Sequence, residues 1–138
     1  MRYSFVVPGP PVGKERPRVE EGRDGRKHTR TPTRTKAYEA LVQIYARRAR
    51  VKPLEGPLKM TLVWARQVSA SWSKKRKAEA LAGVYATGMP DLDNVAKSIS
   101  DALNGVAYAD DAQIAVLAVS RIYVESESSV RVEIETLE

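Results

Sequence analysis

The feature that most constrains the fold lies in the last third of the chain. Leu92, Val95, Ala96, Ile99 and Leu103 recur at helical spacing over Leu92–Asn104, and Gly105 supplies a stop. A long apolar run, Ala112–Val124, follows soon after, with apolar residues on both faces. A helix with one apolar stripe must lay that stripe on other structure, and a strand apolar on both faces is expected in the middle of a sheet. Ser126–Ser129 then turns the chain. Val130, Val132, Ile134 and Thr136 alternate with Arg131, Glu133 and Glu135, the pattern of a half-exposed hairpin partner.

The rest of the chain fits around that pair. Arg2–Val7 reads as a strand with Tyr3, Phe5 and Val7 on one face, ended by Pro8-Gly9-Pro10-Pro11. Thr35 is placed to cap a helix carrying Tyr38, Leu41, Val42, Tyr45 and Ala49. Leu58–Arg66 reads as a strand with Leu58, Met60, Leu62 and Trp64 on one face, and Ser71–Ala82 as a helix stopping at Gly83. The order strand, helix, strand, helix, helix, strand, strand predicts an α+β fold, a mixed sheet of about four strands packed with about three helices. At 138 residues, 1–138 is expected to form a single domain, long enough to bury ~70% of its unfolded surface without a stapling bond or metal.

Composition removes whole classes of chemistry. The chain has no cysteine, so no disulfide, thiolate zinc site, iron–sulfur cluster or cysteine nucleophile is available. His28 is the single histidine, which excludes sites built on several imidazoles; in its basic surroundings it reads as a phosphate or solvent contact rather than a catalytic base. No apolar run approaches the ~20 residues that span a bilayer, and the first residues lack a signal-peptide pattern, so a cytoplasmic protein is expected. No organic cofactor is called for.

The net charge of +6 hides a division. Residues 1–90 hold 20 Lys and Arg against 7 Asp and Glu, whereas residues 91–138 hold 3 against 10, giving +13 and −7. A basic body beside an acidic third suggests a polyanion-facing surface next to something that needs carboxylates. The basic loop at about 12–34 has no period, includes Lys14, Arg16 and Arg18, and reads either as a solvated loop or as an arm that closes on phosphates. In the following helix Lys74, Lys75, Arg76 and Lys77 crowd the first turn, where the helix dipole already makes the potential positive. Such cations cost stability unless an anion relieves them, so a phosphate contact is favoured over a merely solvated face.

The carboxylates are the sharper signal. Asp91 stands at the mouth of the clearest helix, Asp93 in its first turn, and Lys97 and Asp101 follow at steps of four, drifting along one flank. Asp110 and Asp111 stand before the long strand. On spacing alone two readings remain open. The aspartates are caps, turn residues and i,i+4 pairs, or three or four of them converge on a hard divalent cation. Oxygen donors without Cys or several His select Mg²⁺, with Mn²⁺ also suited.

The motifs Pro90-Asp91-Leu92-Asp93-Asn94, Lys97, Asp101-Ala102-Leu103-Asn104-Gly105 and Asp110-Asp111-Ala112-Gln113-Ile114 resemble the signature of the RusA family of Holliday-junction resolvases, common in phages and prophages. Pro8-Gly9-Pro10-Pro11, Lys14-x-Arg16-Pro17-Arg18 and Trp72-Ser73-Lys74-Lys75 are similar to that family as well. The resemblance implies a homodimeric, Mg²⁺- or Mn²⁺-dependent endonuclease that resolves four-way DNA junctions by paired nicks, in recombination and repair. It places the essential carboxylates on Asp91, Asp93 and Asp111, a catalytic lysine on Lys97, and a weaker metal assignment on Asp110. Asp101 matches a family position but reads as a supporting or helix-pairing residue. Some relatives carry a histidine where this chain has Tyr85-Ala86-Thr87. The DNA contacts expected are Lys14, Arg16, Arg18, Lys74, Lys75, Arg76 and Lys77. The competing functions are a related nuclease for other branched DNA and a non-catalytic DNA-binding module.

Overall fold

The computed structural model describes residues 1–15, 18–30 and 33–138, and for residues 18, 20 and 28–30 the backbone alone. Alternation builds the centre. β4 (Leu58–Gln67) turns Leu58, Met60, Leu62 and Trp64 inward, and β6 (Ser129–Thr136) does the same with Val130, Val132 and Ile134. β1 (Arg2–Pro8) adds Phe5 and Val7 to that face. The main sheet has four strands in the order β1, β6, β4, β5, with β5 spanning Ile114–Val124. β1 and β4 both pair antiparallel with β6, while β4 and β5 run parallel.

Two helices cover the buried face of this sheet. α1 (Thr33–Arg48) contributes Tyr38, Val42 and Ala46 to the core. α3 (Leu92–Ala102) contributes Val95, Ala96, Ile99 and Ala102. Among the described residues there are three α-helices, and the second, α2 (Lys74–Gly83), buries no residue. This is the expected α+β arrangement of a mixed four-stranded sheet with three helices.

Two expectations about topology fail. β5 is an edge strand rather than a central one: Ala115, Val116, Leu117 and Ala118 are all exposed. Apolar residues on both faces describe a strand buried by a sheet and equally a strand whose edge is left bare, and periodicity does not separate the two. Nor do β5 and β6 form a hairpin. The chain crosses the end of β4 instead, where the Gln67 amide donates to Ser128 Oγ at 2.9 Å and Gln67 Nε2 donates to the Glu125 carbonyl at 3.2 Å. β6 thereby gains neighbours on both sides, which buries Val130, Val132 and Ile134 completely.

Local corrections have local causes. Thr35 lies inside α1, fully buried, and its Oγ1 accepts the Glu15 amide at 3.4 Å rather than capping the helix. α2 begins at Lys74 because Ser73 takes the N-cap position and accepts the Arg76 amide. Asp111–Gln113 forms a 3-10 turn ahead of β5. The basic loop contains a small antiparallel ribbon, β2 (Arg18–Glu21) and β3 (Lys27–Arg30), joined through Gly22 and Gly25.

Candidate active site

The acidic residues arrive on two rigid pieces. The first is α3. Its apolar flank is buried, so the opposite flank carries Asp93, Lys97 and Ser100 outward in register. Asp91 occupies the N-cap position with extended backbone, yet its carboxylate makes no capping hydrogen bond. The routine structural use of an aspartate at that place is therefore absent, and its charge is left exposed to solvent.

The second piece is the turn before β5. Here Asp110 does the structural work. Its Oδ1 accepts the Ala112 amide at 3.0 Å, and Gln113 Oε1 accepts the amides of Ala109 and Asp110 in return, a reciprocal cap. Gln113 Nε2 also donates to the carbonyls of Leu54 and Gly56, fixing the turn to the loop before β4. Asp111 is then presented by Asn104, whose Oδ1 accepts the Asp111 amide at 2.8 Å. Beneath it Tyr108, fully buried, donates its hydroxyl to the Ser100 carbonyl at 2.6 Å and ties the turn to α3.

These pieces meet at a cavity of about 320 Å³ lined by Asp93, Ala96, Lys97, Ser100, Asp111, Ile114 and Leu117. Thus Asp93, Lys97 and Asp111 are brought to one open site, while Asp91 is not on its wall. Asp101 is not on the wall either, and pairs with Lys97 one turn back along α3. Its carboxylate takes Lys97 Nζ at 3.1 Å on Oδ1 and Lys14 Nζ at 3.2 Å on Oδ2, and it also meets the Asp111 carboxyl.

The two touching carboxyls are pushed apart electrostatically. Burial raises Asp111, and hydrogen bonding to Asp101 and Asp110 raises it further, against a smaller pull from Asn104 and Lys97. Burial also raises Asp101, but Lys97 and Lys14 outweigh it and hold that group below the ordinary carboxylate value. Asp101 therefore ionises first, and Asp111 carries the repulsion. An oxygen-donor pair under unrelieved repulsion suits a hard cation. Among the described residues, however, no three acidic or histidine side chains stand together as a ready-made cation cage.

The basic residues divide. Lys14 is engaged internally: besides Asp101 it meets Glu39 Oε1 at 2.7 Å, and its segment lies along α3, with the Lys14 amide donating to the Asn94 carbonyl and Ser98 Oγ to the Val12 carbonyl. Gly13 permits that approach, since a Cβ there would stand 2.9 Å from Pro90 Cβ. Lys74, Lys75, Arg76 and Lys77 form the first turn of α2, with the Arg76 guanidinium 4.0 Å over the Trp72 ring. Arg16 lies outside the described residues, and Arg18 and His28 are described in backbone only.

Sequence reasoning passed over Asn104 and Gln113, although Asp110-x-x-Gln113 has the spacing of a reciprocal cap and could have been read as one. Lys14 carried no such signal, because its partners Glu39 and Asp101 are remote in sequence.

Comparison with known proteins agrees with the motif. Residues 8–135 match the family described as Endodeoxyribonuclease RusA. The chain is also 38% identical over 125 residues to the uncharacterized protein YqaN of Bacillus subtilis (strain 168), covering 88% of this chain and 87% of that one. A match running nearly end to end, through a site where Asp93, Lys97 and Asp111 converge, places the chain in the RusA family of endodeoxyribonucleases.

Proposed function

We propose that the protein is a divalent-metal-dependent endonuclease that recognises branched DNA and resolves four-way junctions by paired symmetric nicks, acting as a homodimer. The observation that carries this reading is the delivery of Asp93, Lys97 and Asp111 to one open cavity by two separately buttressed elements. Mg²⁺, or Mn²⁺ in its place, would be held through Asp93 and Asp111, with Asp91 at the adjoining helix mouth, and would supply Lewis-acid polarisation of a phosphoryl oxygen.

This chain's own residues supply the rest. Lys97 is half exposed and held by Asp101, so its ammonium faces the cavity ready to meet charge building on a phosphate. Asp101 orients Lys97 and Lys14 rather than receiving substrate. Asp110 shapes the turn, which argues against the metal role considered for it. Lys74, Lys75 and Lys77 on α2 are suited to phosphates, whereas Lys14 serves the site's frame.

A bare edge supports the dimer. Among the described residues nothing pairs with the outer side of β5 between Ile114 and Ser120, and Val116 and Leu117 there are 44% and 51% exposed. Unpaired apolar edges are self-pairing surfaces, and two copies related by a two-fold axis match a substrate needing two cuts.

The test is nicking of matched four-way, Y-shaped and linear duplex DNAs with Mg²⁺ present and absent. Metal-dependent paired nicks in the four-way substrate are expected. Preferential cutting of the Y-shaped DNA would reassign the substrate, and equal cutting of linear duplex would remove junction selectivity. Binding without cleavage under every metal condition would leave a DNA-binding module.

A further inference from the structure

The segment between α2 and α3 leads into Asp91, and two arginines hold it. Arg66 near the end of β4 donates Nη1 to the Thr87 carbonyl, and Arg121 in β5 donates Nη1 to the Gly88 carbonyl. Neither has a carboxylate within ion-pair distance among the described residues. Both are braced by aromatic rings: Arg121 lies 4.5 Å over Trp64, and Arg66 lies 6.0 Å from the Tyr123 ring centre. Arg121 is only 7% exposed and its Nε has no hydrogen-bond partner.

Burying an arginine beside a second arginine, with no acid pairing either, is an expensive way to support a surface loop. Burial depresses Arg121, repulsion from Arg66 adds to that, and Asp91 opposes both, so the Asp91 charge lies within electrostatic reach of Arg121. The backbone of the segment is fastened to the same strand. The Ala86 amide donates to the Arg121 carbonyl at 2.9 Å, and the Tyr123 amide donates to the Val84 carbonyl at 2.7 Å. Gly88 has φ +124°, and a Cβ there would collide with the Arg66 guanidinium. The segment is thus shaped around the two side chains, three residues before Asp91.

We propose that Arg66 and Arg121 are positioning residues for Asp91: their guanidiniums grip the Thr87 and Gly88 carbonyls and so set where the segment entering α3 presents the Asp91 carboxylate. The proposal rests on the reading of Asp91 as part of the nuclease site.

Lysine variants test the proposal, because lysine keeps the charge and loses the planar fork. Arg66→Lys, on the more exposed side, guards against a folding failure of Arg121→Lys. Amide exchange of the metal-free protein is read at Ala86, with Leu103 and Val132 as internal references. Exchange at Ala86 should rise by about tenfold while the references hold. In single-turnover nicking of a synthetic four-way junction, the Mg²⁺ needed for half-maximal rate should rise by about 10-fold, with metal-free junction binding within about 2-fold of wild type. Unchanged exchange at Ala86 overturns the grip. Raised exchange with an unchanged Mg²⁺ requirement overturns the positioning role. If the wild-type protein itself nicks no junction, the nuclease reading fails and this proposal falls with it, whatever the exchange shows.

Discussion

α3 and α2 are helices of similar length separated by a short segment, and they are built on opposite plans. α3 buries Val95, Ala96, Ser98, Ile99 and Ala102, and a polar frame of Lys14, Asn104, Tyr108 and Ser100 surrounds its exposed flank. α2 buries nothing, stands on its Ser73 cap, and carries four cations in its first turn. Its neighbour Trp72 meets Tyr123 edge to face at 5.6 Å. The difference follows from what each helix is proposed to do. Hydrolysis of one bond needs carboxylates fixed to a fraction of an ångström, which only an element locked by core packing provides. Holding a flexible polyanion needs charge, and a loosely attached helix supplies it at longer range.

The largest effect should come from α3's partner turn. Asp111→Asn keeps the backbone hydrogen bond that the residue-111 amide donates to Asn104 Oδ1 and removes the charge, so single-turnover nicking should fall at least about 100-fold with junction affinity retained. Survival of cleavage would detach the site from these carboxylates. On the packing side, Ile99→Ala should cost about 3 kcal/mol in urea unfolding, since Ile99 is fully buried. Leu81→Ala on α2 should cost less than about 1 kcal/mol, because that helix buries no side chain. Equal losses would erase the distinction between the two helices.

Much of this contrast is visible in the residues themselves. α3's stripe and α2's cations are local patterns, and both helices exist close to where periodicity puts them. The carboxylate set is suggested by the family resemblance of the Asp91–Asn94 and Asp110–Ile114 motifs, since spacing alone leaves caps and a cation site both open, and its internal order is not legible. Spacing cannot tell that Asp110 caps while Asp111 faces the cavity, since adjacent residues differ only in which way the turn points them. It also cannot tell that Lys14 crosses to Glu39 and Asp101, or that β6 inserts beside β4. Those depend on long-range pairing, in which the turn at 125–128 passes over Gln67. β5 misleads for a related reason: a bare edge and a buried interior have the same period.

The basic first turn of α2 offers a middle-sized effect. Neutralising Lys74, Lys75 and Lys77 together should lower the slope of log affinity against log salt by about 0.9 for each phosphate these lysines cease to neutralise. The cleavage rate of saturated complex should stay unchanged. A reduced rate with an unchanged slope would move α2 from grip to chemistry.

A smaller effect is expected from pH. Asp101 is held below the ordinary carboxylate value by Lys97 and Lys14, so it contributes stability above its unfolded value that is lost as pH falls through its folded one. Asp111 is raised and has the opposite sign, destabilising while ionised and relieved as it takes up a proton. Asp101→Asn should therefore cost about 1 kcal/mol near neutrality, a gap that closes in acid below the carboxylate range. A gap that widened in acid would mean that Asp101 is not the member of the pair that ionises first.

The smallest expected change tests the plan of α2 most directly. Ser73 Oγ accepts the Arg76 amide at 3.1 Å, and a cap of this kind contributes about 1 kcal/mol to its own helix. In a helix packed like α3 that loss would appear in global unfolding. α2 has no buried residue to transmit it, so Ser73→Ala should leave the urea midpoint nearly unchanged and instead speed amide exchange at Lys77, whose amide bonds back to the Ser73 carbonyl at 3.0 Å. Junction affinity should weaken slightly and only at low salt, where the ordered cations act at longest range. If the urea midpoint drops with the cap, α2 is coupled to the core through Trp72 and Tyr123 more tightly than its exposure implies.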